Sequence, residues 1–160
     1  MCLVIDACCL SNVFIKKDKK HPAFEPVLQW ITKGKGRMIY GGTKYNTELG
    51  RVTGVLGIVS ELSRQRRTVM ISSDVVDPLE RELKDKIPDE KFDDEHLAAL
   101  VIASRCHVVC TDDNIAISYL RRPALFTDYC GVTRPSIFRG HKTQKKLCCK
   151  EHVVEICGKQ

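Results

Sequence analysis

The sequence predicts an α/β fold in which a mostly parallel sheet is covered by helices on both sides. Short apolar runs of strand length alternate with segments whose apolar residues recur at helical spacing. Such alternation is typical of parallel sheets, because each crossover lays a helix on one face of the sheet. The chain of 160 residues is long enough to bury the core of one domain. We place that domain at residues 1–140 and a basic, cysteine-containing tail at 141–160.

The predicted strands are short and largely apolar. They are residues 3–5, 37–40, 68–71 and 107–111, with further short strands at 125–127 and 136–139. Ligands of open parallel sheets bind beyond the carboxyl ends of the strands. Residues that directly follow a strand are therefore candidates for the functional site.

Helical segments are predicted between these strands. They are a helix or turn at residues 7–15 and helices at 21–34, 43–62, 77–86, 93–105 and 112–120. Thr43 is a candidate N-cap of the third. Its glycines at 50, 54 and 57 each weaken a helix by roughly 1 kcal/mol relative to Ala, so we expect a break there. The fourth is predicted to begin with Asp77 as N-cap and Pro78 at its first position.

The composition is that of a globular protein, with 43% hydrophobic and 29% charged residues. No run reaches the roughly 20 apolar residues that a membrane helix needs. The first residues lack a basic region and carry Asp6, which is untypical of a signal peptide. We therefore expect a cytoplasmic protein with no membrane partner. The cysteines in apolar patterns are then expected to be buried thiols in a reducing compartment: Cys2, Cys8, Cys9, Cys106 and Cys110.

The formal net charge is +6, and basic residues concentrate at 16–20, 33–37, 64–67 and 139–150. A positive field of this kind favours a polyanion such as nucleic acid. Solvated surface lysines would give the same composition, so charge alone leaves both interpretations open.

Acidic residues stand where strands and helices are predicted to meet. They are Asp6, Glu48, Asp94 and the pair Asp112–Asp113. Asp6 and the pair follow predicted strands, whereas Glu48 and Asp94 share helix faces with apolar residues. Carboxylates in such positions are costly to bury without a positive partner. A divalent metal ion is the simplest partner.

Each of these acids also has a purely structural interpretation. Asp6 could cap the following helix, Glu48 could lie on the surface, and Asp94 or its neighbour Asp93 could favour a helix N-terminus. For the pair, we prefer Asp113 as the ligand and Asp112 as the helix cap. Asp112 remains the second choice of ligand.

Oxygen ligands are the ones that Mg²⁺ and Mn²⁺ prefer. Ions held by three or four converging carboxylates can activate a water and stabilise the leaving oxygen of a phosphodiester. An acidic centre within a basic surface is thus a coherent layout for a nuclease.

The motifs that contain these acids resemble those of PIN-domain proteins, a family of metal-dependent ribonucleases that includes many toxins of toxin–antitoxin pairs. VIDACCL is similar to the first motif of the family, and Glu48 in KYNTELG resembles the second. DDEHLAALVIA resembles the third, with Asp94 as the best match. VVCTDD resembles the strand–Thr–acid motif, matched by Thr111 and Asp113. The order and spacing of all four motifs cover roughly residues 1–140.

The resemblance implies a three-layer α/β/α sandwich and an endoribonuclease that hydrolyses RNA with Mg²⁺ or Mn²⁺. Asp6, Glu48, Asp94 and Asp113 would hold the metal, and the Thr111 hydroxyl would assist. An antitoxin protein and a second copy of the chain are the partners that it suggests. One departure is Cys8, where many members of the family carry Asn.

Other functions receive less support from the residues. An aspartyl phosphatase would place a second Asp two residues after Asp6, and the motifs of a receiver domain or a nucleotide-binding loop are absent. The main alternative is an inactive module of the same fold that binds RNA or a protein. Zinc binding by Cys148, Cys149, His152 and Cys157 in the tail lacks a C-x-x-C pair. We expect His96 at the surface or rim, pointing away from Asp94.

Overall fold

The computed structural model describes residues 2–141, 147–148 and 156. Its strands are β1 (Cys2–Ile5), β2 (Arg37–Gly41), β3 (Thr68–Ile71), β4 (Val108–Cys110) and β5 (Ser136–Phe138). Its helices are α1 (Ala7–Phe14), α2 (His21–Thr32), α3 (Thr43–Arg51), α4 (Val55–Arg64), α5 (Ser73–Lys86), α6 (Glu95–Ser104) and α7 (Asn114–Leu120). A 3₁₀ turn at Pro123–Leu125 occupies the place where a strand was predicted at 125–127, so that prediction was wrong.

The five strands form one sheet in the order β3-β2-β1-β4-β5, and every neighbouring pair is parallel. Helices flank this sheet in a three-layer α/β/α arrangement, which confirms the predicted fold class. β1 is central and fully buried because it is apolar throughout. The chain runs outward from β1 to β3 and then returns to β4 on the other side of β1. In open parallel sheets such a change of direction creates a crevice at the carboxyl ends of the two central strands, here β1 and β4, and this is the usual place for a ligand.

The predicted break in the helix at 43–62 is confirmed, since α3 ends at Arg51 and α4 begins at Val55. Gly54 precedes α4 with φ +79°, a left-handed conformation that glycine adopts without strain. Gly41 closes β2 with φ +144°, and a Cβ there would lie 2.0 Å from the carbonyl oxygen of Ile71. Glycine at this position lets β2 pair closely with β3.

The start of α5 differs from the prediction. The helix begins at Ser73 with Ser72 as its N-cap, and Pro78 lies inside it. Asp77 does not cap its own helix. Its carboxylate instead accepts hydrogen bonds from the backbone N and the Oγ1 of Thr43, at 2.8 and 2.6 Å. Thr43 is consequently the first residue of α3 rather than its cap, and a side chain from another helix satisfies its backbone N–H.

The helix α6 is buried almost all round, including the polar side chains of Glu95 and His96. It packs against α5 and also contacts β1, β2 and β3, so that no side of it faces solvent. The helix begins at Glu95 instead of residue 93, and Asp94 is its N-cap residue. The prediction that His96 lies at the surface was wrong, because its side chain is completely buried.

The cysteines follow their prediction only in part. Cys9, Cys106 and Cys110 are buried free thiols, whereas Cys8 is exposed. Cys2 is buried but disulfide-bonded. Three members of the predicted tail cluster, Cys149, His152 and Cys157, lie outside the described residues. Within the described part of the chain, no helix is long and apolar enough to span a membrane.

Candidate metal centre

Asp6 directly follows β1 and is almost completely buried. Its backbone N donates to the carbonyl of Cys110 at 2.9 Å, which continues the pairing of β1 with β4. One carboxylate oxygen, Oδ1, caps α1 by accepting from the backbone N of Cys8 at 3.1 Å. The other oxygen, Oδ2, accepts from Oγ1 of Thr111 at 2.6 Å. Asp6 is therefore a helix cap, and its position in the crevice between β1 and β4 is also fixed.

Thr111 contacts both Asp6 and Asp113. It directly follows β4 and is fully buried. Its Oγ1 donates to Asp6 and accepts a hydrogen bond from the backbone N of Asp113 at 3.1 Å. A single hydroxyl therefore holds the ends of two neighbouring strands together.

Asp113 is the N-cap of α7. Its Oδ1 accepts from the backbone N–H groups of Ile115 and Ala116, at 2.6 and 3.1 Å. The cap of this helix had been expected at Asp112, and that expectation was wrong. The cap uses one oxygen of Asp113, and the negative charge of this side chain contributes slightly to the raised pKa of Asp94.

Asp94 is half-buried and makes no side-chain capping hydrogen bond to α6. Its pKa is raised to about 7, first by burial and then by the negative charge of Asp6, with smaller contributions from Asp93 and Asp113. A neighbouring His96 opposes this increase. Asp6, Asp94 and Asp113, which we call the carboxylate cluster, thus lie close enough for their charges to interact.

Glu48 projects from α3 toward His96, and its Oε2 lies 3.3 Å from the Nε2 of that residue. Both ring nitrogens of His96 are buried, and the contact is an ion pair when the ring is protonated. Burial opposes ionisation of Glu48, but the interaction with His96 and the charges of Lys44 and Arg51 outweigh it and lower the pKa. Glu48 therefore has a basic partner within the protein.

Tyr45 lies close enough to both Glu48 and Asp6 for their charges to act on it. Its ring is fully buried 6.1 Å from that of His96, and its hydroxyl donates to the carbonyl of Ile5. The pKa of Tyr45 is raised well above its ordinary value, mainly by burial and then by the charges that include Asp6 and Glu48. Glu48 is thus on the same side of the molecule as the carboxylate cluster.

The four predicted acids do not form a tight ligand set in this structure. Within the described residues, no three of their side chains bring oxygens within 4.8 Å of one another. Among the residues that the structure describes, the one group of three ligand atoms that meets this limit is Cys8, Cys9 and Asp112. We call it the Cys–Asp cluster. Cys9 is buried as predicted and Cys8 is exposed, and the position of both directly after Asp6 is the sequence signal that places them at the sheet edge.

Asp112, the second choice of ligand, has a basic partner. Its Oδ2 accepts from Nζ of Lys20 at 2.6 Å, and its Oδ1 accepts from the two thiols. Burial opposes ionisation of Asp112, but the hydrogen bond from Lys20 and the bonds from the thiols prevail and lower the pKa. These contacts direct Asp112 toward α1, and Asp113 remains the acid that interacts with Asp94.

Basic side chains and a cavity adjoin the acids. Lys44 donates to the carbonyl of Asp93 and lies 3.5 Å from the carboxylate of Glu95. A cavity of about 680 Å³ opens beside these groups, lined among others by Lys44, Lys84 and Phe92. Arg139 donates to the side chain of Asn114, next to Asp113.

The donor chemistry of the carboxylate cluster fits a hard divalent cation. All of its ligand atoms are carboxylate oxygens, which Mg²⁺ and Mn²⁺ prefer. The raised pKa of Asp94 reflects burial first and neighbouring negative charge second, and a bound cation would offset both. No protein-family model, curated protein or solved structure matches the chain.

Proposed function

We propose that the protein is a metal-dependent endoribonuclease that hydrolyses RNA phosphodiester bonds with Mg²⁺ or Mn²⁺. One observation carries the proposal: Oγ1 of Thr111 contacts both Asp6 and Asp113 at the ends of β1 and β4. The half-buried Asp94 lies near enough for their charges to act on it, and burial together with these charges raises its pKa to about 7. Asp6 and Asp113 lie just after the neighbouring strands β1 and β4, and Asp94 is the N-cap residue of α6. Such an arrangement costs folding free energy, and a bound cation accounts for it.

Asp6, Asp94 and Asp113 are the metal-holding residues of this proposal, and Glu48 is the fourth acid. A divalent cation held by these residues would supply Lewis-acid activation of a water and of the scissile phosphodiester. The Thr111 hydroxyl keeps Oδ2 of Asp6 in one orientation. The N-cap bonds of Asp113 fix Oδ1 on the helix. Both acids are thereby positioned before any substrate arrives.

The substrate is inferred from charge and from the PIN-domain resemblance. The net charge of +6 coexists with a local concentration of acids, so the basic residues lie around and away from the cluster. Lys20 and Lys44 flank the acids from two sides. Such a surface attracts the phosphate backbone of a nucleic acid, and the motif order favours RNA.

The alternative is an inactive module that binds RNA or a protein through the same face. Two contacts favour it: Glu48 is paired with His96, and Oδ1 of Asp113 is used by the backbone of α7. A hydrolase and a binding module differ in whether Asp6 is needed for a chemical step.

The test measures cleavage and binding of a fluorescent single-stranded RNA, and of DNA of the same sequence, with Mg²⁺ or Mn²⁺. Asp6→Asn keeps the size of the side chain and should abolish cleavage while RNA binding remains. Glu61→Gln, an exposed acid of α4 paired with Arg64, is the matched control and should cleave normally. Binding without cleavage by the unmodified chain would establish the binding module, and equal cleavage by Asp6→Asn would refute the assigned site.

We extend the proposal to partners that the resemblance suggests, an antitoxin protein and a second copy of the chain. Expression of the chain alone should then slow growth, and Asp6→Asn should relieve this effect. Normal growth with a metal-active protein would contradict the toxin role. Sedimentation of the purified chain would distinguish a dimer from a monomer.

A further inference from the structure

We propose that Cys8, Cys9 and Asp112 form a second metal site, which takes Zn²⁺ or a similar thiophilic cation. This site is separate in chemistry from the carboxylate cluster, because two of its three ligand atoms are sulfurs. Sulfur ligands select Zn²⁺ over Mg²⁺ and Mn²⁺. The inference does not depend on nuclease activity.

The distances among the three ligand atoms match one face of a zinc tetrahedron. The two sulfurs are 3.7 Å apart, and Oδ1 of Asp112 lies 3.6 Å from Sγ of Cys8 and 3.4 Å from Sγ of Cys9. Zinc bonds of about 2.3 Å to sulfur and about 2.0–2.2 Å to oxygen require, at tetrahedral angles, about 3.8 Å between sulfurs and about 3.5 Å between sulfur and oxygen. The side chains therefore already have the spacing that the ion needs.

A second side chain holds Asp112 in the orientation that a metal ligand would need. Lys20 holds its Oδ2 at 2.6 Å, which leaves Oδ1 directed at both thiols. Metal-binding carboxylates commonly have such a partner on the oxygen that does not bind the ion. Lys20 lies just before α2, and Asp112 lies just after β4. Cys8 and Cys9 lie in α1, which follows β1, and β1 pairs directly with β4. The three ligands therefore come from the ends of two neighbouring strands.

The Cys–Asp cluster is buried on one side and open to water on the other. Cys9 is fully buried and Cys8 is exposed, so the group lies at the boundary between core and solvent. Water can therefore reach the cluster and serve as the fourth ligand. Cys110 is buried beside Cys9 and hydrogen-bonds with it, which packs the inner side of the cluster with a further sulfur.

The test uses the full chain, freed of metal and kept in a non-thiol reductant, with Co²⁺ as a spectroscopic substitute for Zn²⁺. Co²⁺ should produce thiolate charge-transfer absorption and the visible bands of a tetrahedral site, and one equivalent of Zn²⁺ should remove them. Cys8→Ser and Asp112→Asn should each weaken Zn²⁺ binding by at least about 100-fold. Loss of a residue that only hydrogen-bonds to a metal ligand typically weakens binding by about 10–100-fold. Both substitutions are conservative, and Cys8 is exposed, so circular dichroism should show an unchanged fold.

The controls separate this site from other thiols and from the proposed nuclease centre. Cys130→Ser removes another exposed free thiol and should leave the cobalt spectrum unchanged. A variant with Ser at 148, 149 and 157 should also retain it. Glu48→Gln should reduce RNA cleavage and preserve the spectrum, so the failure of one proposal is visible independently of the other. The inference is overturned if the unmodified chain gives no cobalt spectrum or if the spectrum persists in Cys8→Ser. Loss of the spectrum in the variant without the tail cysteines would also overturn it.

Discussion

Oγ1 of Thr111 donates a 2.6 Å hydrogen bond to Oδ2 of Asp6 and joins the carboxyl ends of β1 and β4. Both residues are buried, so the bond is shielded from water. A hydrogen bond to a carboxylate is stronger than one between neutral groups, especially where water is excluded. The position of Asp6 therefore depends on a residue far away in the sequence.

Thr111→Val should lower the free energy of unfolding by about 1–3 kcal/mol, because Asp6 loses a buried hydrogen-bond donor. Thr111→Ser keeps the hydroxyl and should lose less. Urea denaturation measures both. Thr127→Val, at an exposed threonine, is the control and should be near neutral. Equal losses for the Val and Ser variants would show that the methyl group matters as much as the hydroxyl and would contradict the prediction.

The stability of the metal-free protein should fall as pH rises from about 4 to about 7. Asp94 has a folded-state pKa of about 7 against an ordinary value of 3.8, so the native state binds a proton that the unfolded state has lost. This stabilising contribution is complete below about pH 4 and is lost as pH rises through 7. Because Asp94 is partly exposed, we expect a change of about 1–2 kcal/mol after allowing for solvent screening.

Urea denaturation in a chelator at several pH values measures this effect for the unmodified chain and Asp94→Asn. The variant should be less sensitive to pH across this window because residue 94 no longer titrates. Glu61→Gln should behave like the unmodified chain. The same pH dependence in Asp94→Asn would assign the effect to a different group.

Mg²⁺ should stabilise the protein, and a chelator should reverse the effect. Binding to the native state alone adds about 2.7 kcal/mol at a ligand concentration 100 times the dissociation constant. Asp6→Asn removes a charge from the carboxylate cluster and should abolish most of this gain, whereas Glu61→Gln should retain it. Thermal unfolding gives the comparison. Mg²⁺ suits this test because thiols do not compete for it. Equal stabilisation of both variants would place the ion elsewhere.

Two glycines should respond in opposite ways to Ala. Gly50 lies inside α3 with nothing within 4 Å of an added Cβ, so Gly50→Ala should stabilise by about 0.5–1 kcal/mol. Gly41→Ala should be strongly destabilising, since its Cβ would collide with the carbonyl of Ile71 and its φ is positive. Urea midpoints give both values. A tolerated Gly41→Ala would mean that β2 and β3 pair less closely than described.

Local pattern was sufficient to predict the sheet and most helices. Apolar runs and helical spacing depend on nearby residues, and these predictions were confirmed to within a few residues for β1 to β4. The break between α3 and α4 was also predictable, because glycine acts through its own backbone. At 125–127 the pattern failed, since a short apolar run fits a 3₁₀ turn as well as a strand.

Contacts between distant residues could not be predicted in this way. Asp77, directly before Pro78, has the sequence pattern of a cap for its own helix. Its carboxylate instead accepts a hydrogen bond from the first residue of α3, 34 positions earlier in the chain. His96 is buried because α6 is covered by α5 as well as by the sheet, and a helix packed on all sides gives no polar stripe to identify. Lys20 and Asp112 are 92 positions apart, so their pairing follows only from the fold.

The order of the strands determines when the carboxylate cluster can exist during synthesis of the chain. Asp6 leaves the ribosome before its hydrogen-bond donor Thr111, which follows 105 positions later. β4 must also insert beside a central strand whose other neighbour, β2, is made much earlier. A nascent chain that has folded β1 to β3 still lacks Asp94, Thr111 and Asp113, so it has neither the cluster nor any chemistry that the cluster supports.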